Sequence, residues 1–143
     1  MLRGWLVLLA VLVGIGYSFA ADSSSTLKKE NRWQEARKYL AEGKAAEAKA
    51  TFEELLKQYP QDADLQLFLG ISLLRLREPH AAEAAVKKAL SIDPNHVEAW
   101  TLLGWIDSEI RGDFDAAIKE YSKVVELRPD LPEAYNNLGV AQK

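Results

Sequence analysis

The chain has no cysteine, which excludes disulfides, thiolate metal sites, a cysteine nucleophile and a thiol-linked lipid anchor. Histidine is nearly missing as well. His80 and His96 fall at a turn and at a repeat junction, neither has a partner histidine at metal-ligand spacing, and both read as solvated turn residues. No Gly-x-Ser-x-Gly, phosphate-binding glycine loop or dinucleotide glycine pattern occurs. Carboxylates are many, as in Glu53-Glu54 or Asp113 with Asp115, but they read as exposed faces and helix caps. The expectation is therefore a chain that is not an enzyme, with no catalytic residue, metal, cofactor or small-molecule substrate. Positive charge does not prevail either: 18 Lys and Arg stand against 21 Asp and Glu, which leaves no basic footprint for nucleic acid.

What is present divides into two unequal parts. The 143 residues are 48% apolar, a length and composition that fit one globular domain. Residues 1–21 hold a single charge, Arg3, whereas everything after Asp22 is rich in charge and alanine. Arg3, the apolar run from Trp5 to Gly16 and the small-x-small end Ser18-Phe19-Ala20 describe a secretory signal over residues 1–20, cleaved after Ala20. An uncleaved anchor is the alternative, because the run approaches the roughly 20 apolar residues that span a bilayer. Gly14, Gly16 and the lack of a basic stop-transfer flank favour cleavage. Either way the remainder leaves the cytoplasm, with the N-terminus held inside by its one arginine. Without cysteine, the exported part is held by burial alone. Residues 21–28 read as a spacer and helix start, Ser25 or Thr26 supplying the N-cap.

From Lys29 onward the chain repeats itself. Pro60, Pro94 and Pro129 are 34 and 35 residues apart, and so are Gly70, Gly104 and Gly139; Ala48, Ala82 and Ala117; and Phe52, Val86 and Tyr121. The one extra residue falls between Gly104 and Ala117. Apolar and small residues recur at helical spacing on both sides of a turn, which is Glu42-Gly43-Lys44, then Arg77-Glu78-Pro79, then Arg111-Gly112-Asp113. Gly43 and Gly112 suit left-handed C-terminal caps, Asp113 an N-cap, and Pro79 the first turn of a helix. The pattern predicts helices over 27–42, 45–58, 63–77, 79–92, 97–111, 114–127 and 132–142. Such a two-helix unit cannot bury its apolar face alone, so consecutive units must stack into a solenoid.

The third unit reads Trp100-x2-Leu103-Gly104, Ala117-x3-Tyr121 and Pro129, and the fourth opens with Tyr135-x2-Leu138-Gly139. The second has Leu69-Gly70-x2-Leu73, Ala82-x3-Val86 and Pro94; the first has Ala36-x2-Tyr39, Ala48-x3-Phe52 and Pro60. This resembles the tetratricopeptide repeat family over residues 29–143. The resemblance implies an all-α, right-handed superhelical solenoid with repeats at 29–62, 63–96 and 97–131, and a final first helix at 132–143. Arg32 and Gln66 replace the pattern's aromatic, and Asp107 its tyrosine. Asp107 adjoins the extra residue, so the first helix of the third repeat is expected to be bulged or one residue longer. The small residues of the pattern, Gly139 included, are expected to let paired helices approach closely.

In this family the face one step after the packing stripe of each first helix looks into a concave groove, about 100° round the helix. It is occupied by Trp33, Arg37 and Leu40; Leu67, Ile71 and Leu74; Thr101, Trp105 and Ser108; and Asn136, Val140 and Lys143, with Arg37, Arg75 and Lys143 at the margins. The candidate partner-binding residues are thus Trp33, Arg37, Leu67, Ile71, Leu74, Arg75, Thr101, Trp105, Asn136 and Val140, a set rich in the aromatic and arginine types found at binding hot spots. A competing reading gives Trp33 the core role vacated by Arg32 and buries Leu67 and Leu74 between helices. Positions that in some members clamp a peptide's terminal carboxylate hold Trp33, Arg37, Phe68, Glu98 and Leu102, so that clamp is largely absent. The expected function is an exported scaffold that binds a partner peptide or helix and assists assembly in a bacterial periplasm or cell envelope. The alternatives are a self-associating subunit and a domain anchored in the inner membrane facing the periplasm.

Overall fold

A computed structural model describes residues 23–143, all of whose regular structure is helical. The proposed signal and the first two residues of the expected spacer lie outside the described residues. The helices are α1 over 23–41, α2 Ala45–Gln58, α3 Ala63–Arg75, α4 Pro79–Ile92, α5 Val97–Trp105, α6 Phe114–Leu127 and α7 Pro132–Ala141. Among the described residues no helix is long and apolar enough to cross a membrane.

One expectation fails at the start. Residues 23–26 are helical rather than a spacer, because the serines and Thr26 include no glycine or proline to stop a helix, and propagating one costs only tenths of a kcal/mol per residue.

Each unit closes its two helices through the same turn. Gly43 and Gly112 take left-handed φ of 77° and 68°, and Arg77, in the same column, takes 61°. The turn is sealed by Lys44 N–H donating to the Tyr39 carbonyl at 2.8 Å and, 34 residues on, by Glu78 N–H donating to Leu73 at 2.9 Å. In the third unit Asp113 N–H donates to Asp107 at 2.8 Å, spanning one residue more. That residue is absorbed in a π-helical turn, Ile106–Arg111, which continues α5. The expected bulge is therefore present and is confined to six residues.

The repeat columns become packing layers. Ala48, Ala82 and Ala117 are fully buried, with Phe52, Val86 and Tyr121 one turn further along. A Cβ on Gly70 would stand 2.9 Å from Val86 Cγ2 and 3.3 Å from the Ala82 carbonyl oxygen, and one on Gly104 would stand 2.7 Å from Tyr121 Cε1. Only glycine lets these helix pairs close. Gly139 is different: nothing lies within 4 Å of its Cβ position, since α7 packs on α6 of the preceding unit and has no second helix of its own unit among the described residues. The expected close approach at Gly139 is therefore not seen.

The junctions between units use a column of N-caps. Asp62 Oδ1 accepts from Leu65 N–H at 3.0 Å, and His96 Nδ1 accepts from Ala99 N–H at 3.4 Å. His96 is not the solvated residue expected. Its side chain is 9% exposed, with Nε2 2.9 Å from Asp64 Oδ1, so it caps α5 and ties that helix back to α3. Trp100 Nε1 donates to the Pro94 carbonyl at 2.8 Å, and Tyr135, its counterpart in α7, donates to Pro129 at 3.3 Å. The pattern's aromatic thus pins the Pro94 and Pro129 turns to the helices that follow them, whereas Gln66 stands in that column after Pro60.

Candidate functional site: the cleft between the first helices

The first helices line one side of the stack, and a cleft of about 540 Å3 opens between α3, α5 and α7. Its α3 wall is Leu67 and Ile71; α5 supplies Thr101, Leu102 and Trp105 with Val97 and Glu98; Tyr121 of α6 and Arg128 just beyond it close the cleft together with Leu131, at the N-cap of α7, and Glu133 and Asn137 within that helix. Trp105 is 44% exposed. It follows Gly104 directly, so when Gly104 meets Tyr121 the indole is carried away from that seam.

Of the sequence-derived candidates, Leu67, Ile71, Thr101 and Trp105 meet in this cleft. Leu67 is also core, packed with Val86, Leu90 and Leu103, and Leu74 is half-buried against the same cluster, so the competing reading holds for both leucines. Trp33 likewise packs inward. Its ring meets Phe68 at 4.9 Å and Phe52 at 5.6 Å, both edge-on, which places it in the core cluster of the first unit. Arg37 is exposed with its guanidinium 5.7 Å above the Phe68 ring. Arg75 is a structural cap, its Nη1 donating at 2.5 Å to the Leu40 carbonyl at the end of α1. Asn136 and Val140 do not line the cleft. They occupy the column of Thr101 and Trp105, which faces the next first helix along the stack, and none follows α7 among the described residues. Val140 is accordingly 65% exposed. The wall that α7 does contribute, Asn137, belongs to the Phe68–Leu102 column. A two-faced reading of each first helix would have found it, because each gap is lined by one column from one helix and the adjacent column from the next.

Charge at the cleft is asymmetric. Arg128 Nε and Nη2 donate at 2.9 Å to the two oxygens of Asp130, which raises the guanidinium above its ordinary value and holds the Asp130 carboxyl below its own. Glu98 and Glu133 stand at the N-terminal ends of α5 and α7, and Glu98 Oε2 lies 3.3 Å from His96 Nδ1.

Behind the cleft, on α4, α6 and the π-turn, lies a second group of charges. Asp107 is 2% exposed and faces Glu120, and neither Asp107 Oδ1 nor Glu120 Oε2 has a well-directed hydrogen-bond partner. Burial, and then the Asp107 carboxylate, push the Glu120 carboxyl up to about 8. Arg111 Nη1 lies 3.0 Å from Asp107 Oδ1, at ion-pair distance but off the line of a hydrogen bond, and donates at 2.8 Å to Glu83. Lys87 also binds Glu83, at 2.6 Å, and with burial opposing it this pulls the Glu83 carboxyl down. None of these carboxylates lines the cleft. A larger opening of about 800 Å3 runs along the α2–α3 and α4–α5 turns and shares Val97, Glu98 and Arg128 with the cleft; across it Lys29 donates to Asp62 at 2.6 Å and His96 meets Asp64 at 2.9 Å. That opening is a seam between units.

Family models for the tetratricopeptide repeat match residues 10–62 and 39–106, and a TPR repeat model matches residues 110–143. The chain belongs to the tetratricopeptide repeat family. It is 30% identical over 111 residues to mouse BBSome complex member BBS4, which covers 78% of this chain and 21% of that protein. It is 26% identical over 102 residues to the human protein O-mannosyl-transferase TMTC3, covering 71% of this chain and 11% of that one. The chain thus spans about a fifth or less of these two relatives. Among solved structures, the TPR2B domain of yeast Sti1 in a complex with pHsp70 superimposes with a TM-score of 0.74 at 20% identity, over 81% of this chain and 97% of that one. The first TPR of Spaghetti (RPAP3) bound to the HSP90 peptide SRMEEVD gives 0.73 at 23%, over 80% and 90%. These likenesses show the fold.

Proposed function

We propose that this chain is an exported scaffold that holds a segment of a partner protein in the α3–α5–α7 cleft and assists assembly of complexes in a bacterial periplasm or cell envelope. One observation carries the binding site: a large aromatic, Trp105, stands 44% exposed on the wall of an apolar cleft while the neighbouring aromatics Trp33, Trp100 and Tyr121 are packed. Support for a peptide partner comes from the RPAP3 and Sti1 domains, whose complexes pair the same fold with chaperone peptides or proteins. Support for export comes from residues 1–20, the charged-then-apolar run ending in Ser18-Phe19-Ala20. The test is capture from an envelope fraction with parent and Trp105→Ala chains, followed by affinity measurement on the captured partner. The variant keeps its helical content and melting and loses about 2 kcal/mol or more of binding, the level of a hot spot. A variant that melts much earlier, with binding intact in its folded fraction, makes Trp105 a core residue and moves the site.

A second reading, self-association, is favoured by the open face of α7, where Tyr135 and Val140 are exposed and Gly139 meets nothing. Sedimentation at several concentrations separates the two, since a dimer that forms without other ligands supports the second.

A further inference from the structure

We propose that the cleft selects an extended segment carrying an apolar side chain against Ile71, Leu102 and Trp105 and a lysine or arginine three residues away at Glu98 and Glu133; this rests on the cleft being the binding site.

Charge balance comes first. Arg128, the one cation of the cleft wall, is neutralised by Asp130 through two bonds of 2.9 Å. Glu98 is exposed, lies 3.3 Å from His96 Nδ1 and makes no direct bond to Arg128, on which it acts only through its field and less than Asp130 does; Glu133 is engaged by no side chain among the described residues. Each carboxylate sits on a helix N-terminus, which offsets roughly half a unit of charge. About one net negative charge is left at that end of the cleft, beside low-dielectric walls that focus it. A peptide rich in carboxylates meets repulsion there, whereas a single cation completes the balance.

Spacing comes second. Seven residues separate Glu98 from Trp105, which at 1.5 Å per residue is about 10 Å along α5. An extended chain covers that distance in about three residues. A helix needs seven residues for the same span, so the spacing between the apolar residue and the cation in a bound peptide tells the extended form from the helical one.

The experiment is selection of a random decapeptide library on the full chain, on Trp105→Ala and on Glu98→Gln/Glu133→Gln. The expected winners carry an apolar residue with Lys or Arg three positions away. Resynthesised, they bind the double glutamine variant about three- to tenfold more weakly, as two exposed charge pairs imply, and lose most affinity for Trp105→Ala. Winners with carboxylates beside the apolar residue, or equal affinity for the double variant, overturn the charge preference and leave the cleft as the site. Absence of enrichment, or winners indifferent to Trp105→Ala, overturns the cleft reading and this inference with it.

Discussion

The second and third units are built on the same columns and yet differ at one layer. In the second, Leu73 packs on Ala85 in an apolar cluster with Ala82. In the third, the same two columns hold Asp107 and Glu120, and the helix that carries Asp107 swells into a π-turn. Both layers sit between a first and a second helix, and both close around a glycine. What differs is how the layer is stabilised: burial of hydrocarbon in one, and in the other a proton on Glu120 with Arg111 bridging to Glu83. A buried ionic cluster contributes little net stability compared with well-packed apolar groups, although leaving one member unpaired is costly. The third unit thus carries its extra residue, as a π-turn, at the layer where it also replaces the apolar pair by carboxylates.

The largest effect comes from erasing the difference. Asp107→Leu combined with Glu120→Ala transplants the second unit's pair, and is expected to stabilise the chain by up to about 4 kcal/mol in urea melts at pH 8. A loss of stability there means that the π-turn needs the carboxylates. Next comes the shared glycine seam. Gly70→Leu and Gly104→Leu are each expected to cost about 1 to 3 kcal/mol by overpacking, with the Ala82 carbonyl at Gly70 less able to yield than the Tyr121 ring at Gly104. Gly139→Leu, which meets nothing, instead gains up to about 1 kcal/mol of helix propensity. Equal effects at the three glycines overturn the distinction between the two closed seams and the open position at Gly139.

The third prediction concerns pH. The folded Glu120 carboxyl titrates near 8, above its ordinary 4.5. Between those values the unfolded chain has lost the proton and the folded chain keeps it, so stability falls as pH rises through that window, by less than about 1.4 kcal/mol per unit. Below 4.5 both states are protonated and the loss disappears. Urea melts from pH 5 to 9 are expected to show this slope in the parent and not in Glu120→Gln. The smallest effect is at the turns. Arg77 adopts a left-handed φ of 61° that its glycine counterparts Gly43 and Gly112 take freely. Arg77→Gly is expected to stabilise by about 1 kcal/mol, and Gly112→Ala to destabilise by a similar amount, both by thermal melting.

Periodicity alone determined the architecture. Four columns at spacings of 34 and 35 marked the number of units, the helix pairs, the turn positions and the place of the extra residue, because each column recurs at the same turn or packing position of successive units. The left-handed turn residues were legible where they are glycine and not where Arg77 stands, since its conformation is imposed by the helices it joins. The cleft was half legible. Ile71, Thr101 and Trp105 follow from helical spacing, but whether Trp33 lines the groove or fills the core depended on Phe52 and Phe68, two residues of other helices. His96 as a cap across a junction, the Asp107–Glu120 contact and the exclusion of Asn136 and Val140 came only from tertiary structure. A helix's sequence specifies which residues share its face, and the neighbours packed against that face decide which of them remain free to meet a partner.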